Sequence, residues 1–277
     1  MSKDQSKRPL PLKAYKNLDF LNSNSARVLR ILSEYLEPES RFRHYKVKDT
    51  IVFFGSARIR PSEEVEKELK NDGLEDGYRD KLDRALEMGR YYDDAVELAR
   101  LLTEWSKSLK ERQRRFLICS GGGPGIMEAA NRGAALAHGK SIGLNISLPF
   151  EQAPNPFISN ELSFEFHYFF MRKFWFIYLS KALVIFPGGF GTLDELLEVL
   201  TLIQTKKLRR PIPIVIYGEQ YWREVLNFDA LEKWGMINQE DLNLFRFADT
   251  PQTAFEYLRD QLQMFYGEEA EASPFNE

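Results

Sequence analysis

The sequence predicts an α/β protein built on a doubly wound parallel sheet, with a single domain behind an N-terminal helical extension. Short, continuous apolar runs alternate with longer segments of helical periodicity along most of the 277 residues. Such runs are typical of strands that are buried on both faces of a parallel sheet, and their alternation with helices indicates repeated strand–helix–strand units. Three of the runs end in small or glycine-rich turns, which is where Rossmann-like folds bind their ligands.

The N-terminal segment, residues 1–48, is expected to form an arm and one helix. Residues 1–16 are polar and lack periodicity, as disordered segments do. Apolar residues then recur at helical spacing over residues 18–36. The helix is predicted to end at Pro38, because proline lacks a backbone N–H and its ring clashes with the preceding turn.

The central domain is expected to span residues 49–265 and to contain five buried strands. Each is a run of β-branched, aromatic or aliphatic residues that ends in a turn signal. The predicted strands are residues 49–55, 115–121, 141–148, 182–187 and 212–218.

Helices with an apolar stripe are predicted between and after these strands. The stripes lie within residues 82–102, 193–203, 221–234 and 254–265. Residues 61–80 are charged and are predicted to form a surface insertion. Residues 266–277 are predicted to be an acidic flexible tail.

Charge and composition exclude several functional classes. The 38 Lys and Arg residues against 41 Asp and Glu give a net charge of −3, which argues against bulk electrostatic binding of nucleic acid. No apolar run reaches the ~20 residues that span a bilayer, so no membrane contact is expected. A single cysteine, Cys119, excludes a disulfide framework and favours a reducing, cytoplasmic location. His44, His138 and His167 lack the spacing of metal ligands, and we expect neither a metal nor another cofactor.

Three strand-end turns carry the strongest signal of function: residues 55–58, 120–125 and 187–192. Backbone N–H groups without neighbouring Cβ atoms can close on a phosphate, and a following helix adds the positive end of its dipole. One such turn often serves only a tight reversal, but three at one edge of a sheet favour a phosphorylated or nucleotide ligand. Gly55, Ser56 and Phe190 are counted among the candidate substrate-binding residues of these turns.

None of these turns completes a standard nucleotide motif. Ile126 stands where the third glycine of G-x-G-x-x-G belongs, so the dinucleotide fingerprint is not met. Residues 139–141 imitate the end of a P-loop, but Ala134 replaces its first glycine and the segment leads from a helix into a strand. NAD and ATP sites of these kinds are therefore not expected.

Glu195 has two interpretations. With Thr192 three residues earlier it fits a capping box, and a helix cap contributes about 1 kcal/mol. Alternatively, its carboxylate lies beside the glycine-rich turn and faces the cleft. The pattern favours neither.

Residues 167–178 form an aromatic helical segment that contains two adjacent cations, Arg172 and Lys173. A lysine easily reaches the surface along such a helix, whereas an arginine among aromatic rings more often pairs with a carboxylate or a phosphate. The aromatic density exceeds what one packed face needs, so part of this surface is expected to contact another subunit.

Residues 120–127, 171–173 and 187–195 together resemble the LONELY GUY (LOG) family. Its members are cytokinin riboside 5′-monophosphate phosphoribohydrolases, formerly described as possible lysine decarboxylases. The motif Pro-Gly-Gly-x-Gly-Thr-x-x-Glu with an upstream Arg-Lys pair carries the resemblance, which covers residues 49–259. It implies a Rossmann-like fold, cleavage of the N-glycosidic bond of a purine nucleoside 5′-monophosphate, and a homodimer or higher homo-oligomer.

The segment of residues 126–133 departs from the short plant members and is similar to the longer bacterial subgroup. The resemblance therefore leaves the substrate open between AMP, another purine monophosphate, and an N6-substituted AMP such as a cytokinin riboside monophosphate.

The resemblance also implies roles for individual residues. Arg172 and Glu195 would be the catalytic pair. Lys173 would assist substrate binding, Glu151 resembles a carboxylate near the nucleoside, and Thr201 is a weaker candidate. The 5′-phosphate site would comprise Gly188, Gly189, Gly191 and Thr192, with Gly121, Gly122 and Gly123 lining the same cleft.

Two other functions are open at this point. A non-catalytic carrier of a nucleotide or phosphorylated cofactor needs only the glycine-rich turns, whereas Arg172 and Glu195 together favour an enzyme. The older decarboxylase description predicts a pyridoxal phosphate Schiff base on a lysine. Lys173 and Lys181 are the lysines near the motif, and nothing around them in the sequence indicates a cofactor site.

Overall fold

Seven parallel strands form one sheet in the computed structural model, which describes residues 11–71, 75–109, 115–149 and 153–267. The strands are β1 (Thr50–Phe54), β2 (Leu117–Ser120), β3 (Ser141–Ile146), β4 (Ser163–Phe166), β5 (Ser180–Ile185), β6 (Ile214–Tyr217) and β7 (Arg246–Ala248). Their order across the sheet is β4-β3-β2-β1-β5-β6-β7, and every neighbouring pair is parallel. The predicted Rossmann-like, doubly wound parallel sheet is confirmed.

The five predicted strands correspond to β1, β2, β3, β5 and β6. The two edge strands, β4 and β7, are not predicted by the sequence. Each pairs on one side only and carries an exposed charged residue, Glu165 in β4 and Arg246 in β7. A half-exposed edge strand therefore lacks the continuous apolar run by which the buried strands are recognised.

Helices cover both faces of the sheet. The described α-helices are α1 (Leu18–Asn22), α2 (Arg27–His44), α3 (Ser62–Leu69), α4 (Asp76–Ser108), α5 (Ile126–Leu136), α6 (Phe169–Tyr178), α7 (Phe190–Gln204), α8 (Glu219–Val225), α9 (Phe228–Lys233) and α10 (Pro251–Tyr266). Ile51 and Phe53 of β1 belong to the core with α4, α5 and α10, whereas Val52 and Phe54 belong to the core with α2, α6 and α7. Alternating side chains along one strand thus build two cores, one on each face.

The chain changes direction across the sheet between β1 and β5. Strands β2, β3 and β4 extend the sheet on one side of β1, and β5, β6 and β7 extend it on the other. In open parallel sheets, ligands bind in the crevice outside the carboxyl ends of the strands at such a switch point. The turns that follow β1 and β5 lie at that crevice.

Pro38 does not end the N-terminal helix, and that prediction is wrong. It lies buried inside α2, which continues to His44. A proline at this position leaves the carbonyl of Glu34 without its helical N–H donor. The indole Nε1–H of Trp175 donates to that carbonyl oxygen at 2.9 Å, so a contact from α6 replaces the missing bond.

Other helix bounds also differ from the sequence pattern. The charged stretch at residues 61–80 is mostly helical where it is described, because it contains α3 and the first turn of α4. The predicted helix over residues 221–234 is divided into α8 and α9. Asn227 makes the division, since its side chain accepts the N–H of Ala230 at 2.9 Å and caps α9.

Parts of two predicted segments lie outside the described residues: residues 1–10 of the arm and residues 268–277 of the acidic tail. Across the described ranges, none of the helices is long and apolar enough to cross a membrane.

Candidate functional site

A cleft of about 1410 Å³ opens where β1, β2 and β5 end. All three predicted turns contribute to its walls. The predicted site residues that line it are Gly55, Ser56, Gly121, Gly123, Arg172, Gly188, Gly189, Phe190, Gly191, Thr192 and Glu195. The side chain of Phe190 is 93% exposed, so an aromatic ring stands at the cleft surface.

Hydrogen bonds join the three turns to one another. The N–H of Ser56 donates to the carbonyl of Pro187 at 3.0 Å, and the N–H of Ile126 donates to the carbonyl of Ser56 at 3.1 Å. The hydroxyl of Tyr221 donates to the carbonyl of Gly188 at 2.9 Å. The backbone of the cleft is therefore fixed by the fold itself, as a preorganised binding site requires.

The side chains of buried asparagines contact the second turn, residues 120–125. Gly122 has a φ of 75°, and a Cβ on it would lie 2.3 Å from Oδ1 of Asn145, so only glycine fits there. The side-chain amide of Asn155 donates to the carbonyls of Gly122 and Gly123 at 3.0 and 3.1 Å, and to Oδ1 of Asn131 at 3.0 Å. Gly122 thus supports the cleft without lining it. These asparagines cannot be identified from the sequence, because no spacing separates a buried asparagine from an exposed one.

The third turn ends in the N-terminus of α7. The N-cap residue is Gly189, and the first helical bond runs from the N–H of Leu193 to the carbonyl of Gly189 at 3.0 Å. The amides of Phe190, Gly191 and Thr192 are consequently the unbonded N–H groups of the helix end. A Cβ on Gly189 or Gly191 would meet nothing within 4 Å. The turn can thus present its amides and the helix dipole to an anion.

Glu195 is not part of a capping box, and that interpretation is wrong. Thr192 is the third residue of α7 rather than its cap, and the helix start has no side-chain cap bond. The hydroxyl of Thr192 instead packs on Gly188, where a Cβ would lie 2.1 Å from it. Glu195 is therefore almost one turn further into the helix, with its side chain at the cleft.

The carboxylate of Glu195 is buried and incompletely bonded. Its residue is 4% exposed, and Oε2 has no hydrogen-bond partner within the described part of the chain. Burial raises the pKa of Glu195 to about 7, against the opposing charges of Lys173 and Arg172. Desolvation disfavours a carboxylate, so this group titrates near neutral pH, where a catalytic base is most effective.

Arg172 lies in the same cleft between aromatic rings. Its guanidinium carbon is 5.1 Å from the ring centre of Phe169 and 5.5 Å from that of Phe176. Its Nε is buried without a partner, and no ion pair within 4.0 Å joins it to Glu195 or any other described carboxylate. Burial lowers its pKa, although a guanidinium remains charged in proteins. Arg172 and Glu195 each bring an unpartnered buried atom to one cleft.

Lys173 points to a different place. Its Nζ is 2.6 Å from Oδ2 of Asp194 and 2.8 Å from Oε2 of Glu198, and the residue does not line the cleft. Burial works to lower the pKa of Lys173, but its hydrogen bonds to the two carboxylates raise it overall. The ammonium thus offsets two negative charges that flank Glu195 on α7.

One further candidate, Thr201, is not brought to the cleft. Thr201 is exposed and donates its hydroxyl to the carbonyl of Leu197 at 2.7 Å. Glu151 lies outside the described residues.

The N-terminal extension holds the helix that carries Arg172. Oε1 of Glu34 accepts the N–H of His167 at 2.8 Å, and Oε2 accepts the N–H of Tyr168 at 3.2 Å. Tyr168 is the N-cap residue of α6, and its carbonyl accepts the N–H of Arg172 at 3.2 Å. A carboxylate at a helix N-terminus is stabilising. One residue of α2 therefore fixes the first turn of α6.

We expect Glu34→Ala to lower the free energy of unfolding by about 1–2 kcal/mol, because two amides at the start of α6 lose a charged acceptor. Urea denaturation followed by circular dichroism measures the loss. Glu39→Ala is the matched control on the same helix. It removes only a surface ion pair with Arg43, which should cost less than about 0.5 kcal/mol. Equal losses in the two variants would contradict the anchoring role.

The described residues contain no group of three His, Cys, Asp or Glu side chains placed to hold a metal. Neither lysine considered for a Schiff base lines the cleft. Lys173 is paired with two carboxylates, and Lys181 lies at the opposite end of β5, 3.8 Å from Oδ1 of Asp49. The geometry gives these lysines no access to a ligand in the cleft.

The part of the chain that carries Arg172 and Glu195 is similar to known proteins. Residues 127–258 match the family model described as "possible lysine decarboxylase". A pyrimidine/purine nucleotide 5′-monophosphate nucleosidase of Escherichia coli K12 is 33% identical over 118 residues, which cover 38% of this chain and 25% of that protein. A probable cytokinin riboside 5′-monophosphate phosphoribohydrolase of Oryza sativa subsp. japonica is 32% identical over 82 residues, 29% of this chain and 33% of that protein.

This chain thus spans between a quarter and a third of the length of these two curated relatives. Among solved structures, the Moco carrier protein of Chlamydomonas reinhardtii aligns with 78% of this chain and 99% of its own, at 17% identity and a TM-score of 0.47. A similarity with this identity and TM-score does not indicate whether the chain is an enzyme or a carrier protein.

Proposed function

We propose that the chain hydrolyses purine nucleoside 5′-monophosphates, since residues 127–258 match the family model described as possible lysine decarboxylase. The products are the free base and ribose 5-phosphate. One observation carries the proposal: a buried carboxylate with an unpartnered oxygen lies beside an anion-binding helix end in a single cleft. The names of the two curated relatives support the same class of substrate.

Glu195 is the proposed catalytic carboxylate. Cleavage of the bond between C1′ and the purine nitrogen builds positive charge on the ribose, as in glycoside hydrolysis. A carboxylate near C1′ stabilises that charge and accepts a proton from the attacking water. The water oxygen bonds to C1′, and the electrons of the broken bond pass to the purine nitrogen. The base takes one proton from solvent, which balances the proton that Glu195 accepts from water.

The N-terminus of α7 is the proposed 5′-phosphate site. Its free amides and dipole suit one phosphate group, and Glu195 on the same helix then has a fixed relation to the sugar. Such positioning can supply several kcal/mol toward catalysis.

Arg172 can act on Glu195 or on the substrate. The absence of a direct ion pair between Arg172 and any described carboxylate supports the second role. Its unpartnered Nε and its place between Phe169 and Phe176 suit a contact with the ligand. We therefore assign it to substrate binding and to stabilisation of the negative charge that develops on the leaving base.

The direct test is incubation of the purified protein with AMP, GMP, CMP and N6-isopentenyl AMP, with released base measured by chromatography. Base released from a purine monophosphate supports the hydrolase, and the ranking of AMP against N6-isopentenyl AMP decides whether a cytokinin precursor is the preferred substrate. Saturable binding of nucleotide without release of any base would support the carrier instead.

A homo-oligomer is also part of the proposal. Phe170, Phe174 and Tyr178 of α6 are exposed, and exposed apolar patches often mark contacts between proteins. A second copy of the chain is the proposed partner for this face. Light scattering of the purified protein measures the assembly, and a monomeric mass at all concentrations would contradict it.

The rate of hydrolysis is expected to rise with pH through about 7, the pKa to which burial raises Glu195. Below that value Glu195 is protonated and can neither accept a proton nor stabilise positive charge; above it the carboxylate forms. Measurement of kcat/KM for AMP between pH 5 and pH 9 reports the pKa of the free enzyme. A profile that is flat across neutral pH would contradict the role of Glu195 as the base.

A further inference from the structure

The cleft has room and charge beyond what a nucleoside monophosphate uses. Its volume of about 1410 Å³ exceeds the roughly 300–1,000 Å³ of most small-molecule sites. Its charged lining residues are Arg58, Lys81, Arg84, Arg172 and Glu195. Four cations thus surround one carboxylate, in a chain whose net charge is −3. Concentrated positive charge in a cleft raises the local concentration of anionic ligands.

Two of these cations come from one face of α4. Its cleft-lining residues are Lys81, Arg84, Ala85 and Met88, at the spacing i, i+3, i+4 and i+7 that places side chains on one side of a helix. Arg58 approaches from the turn after β1, where its N–H donates to Oγ of Ser56 at 3.1 Å. The face of α4 and the turn after β1 therefore meet at the cleft.

None of the three cations Arg58, Lys81 and Arg84 forms an ion pair within 4.0 Å in the described ranges. Arg100, further along the same helix, pairs with Glu97 and Glu104 at 2.7 and 2.6 Å. The cations of α4 that face the cleft thus have no carboxylate partner among the described residues.

This second group of cations lies apart from the α7 phosphate site. Helices α4 and α7 pack on opposite faces of the sheet, and the cleft lies at the strand ends between them. A single phosphate on the amides of α7 leaves the cations of α4 without a counter-charge.

We propose that Arg58, Lys81 and Arg84 form a second phosphate subsite, so that the cleft binds a nucleotide that carries a further phosphate group besides the one at the end of α7. The inference rests on the proposed function, because it takes the α7 site to hold the first phosphate. The second phosphate is either a β-phosphate on the 5′ chain or a phosphate on the 3′ hydroxyl. Phosphate contacts of this kind weaken as salt rises.

The test is isothermal titration of AMP, ADP and adenosine 3′,5′-bisphosphate into the full chain carrying Glu195→Gln, which slows turnover during the titration. We expect one of the two ligands with an additional phosphate to bind at least about tenfold more tightly than AMP, the equivalent of one strong ionic contact. The preferred ligand identifies the position of the second phosphate.

The same titrations in a Lys81→Gln/Arg84→Gln background should reduce that preference to less than about twofold. Arg79→Gln is the matched control, since it removes a cation from α4 that does not line the cleft, and it should keep the preference. Thermal denaturation verifies that each variant is folded.

Equal affinity for AMP and both other ligands, or a preference that survives the double substitution, would overturn the subsite. In that case, release of base from AMP by the unmodified chain would leave the proposed hydrolase intact. If the chain neither binds any of the nucleotides nor releases base from AMP, the proposed function fails and the subsite fails with it.

Discussion

Glu195→Gln is expected to lower kcat for the hydrolysis of a purine nucleoside monophosphate by roughly 10²–10⁴-fold, the usual contribution of a positioned acid or base. The substitution keeps the size of the side chain but removes the negative charge that would stabilise the ribosyl cation and accept the proton of water. Released base, measured by chromatography at pH 8 with AMP, gives the turnover rate.

Glu198→Gln is the control for this experiment. It removes the same charge from the same helix, but Glu198 pairs with Lys173 and does not line the cleft. Its turnover should stay within a small factor of the unmodified chain. Wild-type turnover by Glu195→Gln would mean that the carboxylate has no catalytic role.

The same variant has an opposite effect on stability, which provides a readout independent of activity. The folded pKa of Glu195, about 7, lies above its ordinary value of 4.5, so the folded protein holds this proton more tightly than the unfolded chain. Stability is therefore lost as pH rises from about 4.5 to about 7, by up to about 3 kcal/mol. Glutamine does not titrate, and Glu195→Gln should be the more stable protein above pH 7 in urea denaturation.

Arg172→Lys is expected to lower kcat/KM for the same substrate by about 100-fold, comparable to the removal of one charge-stabilising donor. A lysine keeps the charge, but it cannot reproduce the planar guanidinium between Phe169 and Phe176. Steady-state kinetics with AMP measures the loss. Lys173→Arg, a change of cation on the same helix but outside the cleft, should have a much smaller effect. An unchanged kcat in Arg172→Lys would remove Arg172 from the catalytic pair.

Most of the sheet could be predicted because its strands are buried on both faces. The residues of β1 are all buried, so its sequence is a continuous apolar run. The edge strands β4 and β7 escape this signal, since one face and one edge of each meet solvent. The helix end predicted at Pro38 was wrong because the sequence shows only that the proline lacks an N–H. It does not show that the indole N–H of Trp175 donates to the carbonyl that the proline leaves without a donor.

The residues at the centre of the candidate site could also be predicted, because they lie close together in the sequence. Residues 187–195 run from a strand end through a glycine-rich turn to Glu195 within one motif. Residues that support the site from distant parts of the chain could not be found in this way. Asn145 and Asn155 support the second turn from elsewhere in the chain, and Glu34 reaches α6 across more than 130 residues. Nor does sequence distinguish a cation that faces a cleft, such as Arg84, from one that faces solvent.

The central position of β1 governs how the protein can be synthesised. Its neighbour β5 begins only at Ser180, so a growing chain carries β1 with at least one unpaired edge while the ribosome adds residues 55–179. An apolar strand with a free edge can pair with other chains and aggregate. The glycine-rich turn of residues 187–192 and Glu195 follow β5 directly. The docking of β5 therefore covers the free edge of β1 and brings the turn after β5 to the cleft in one event.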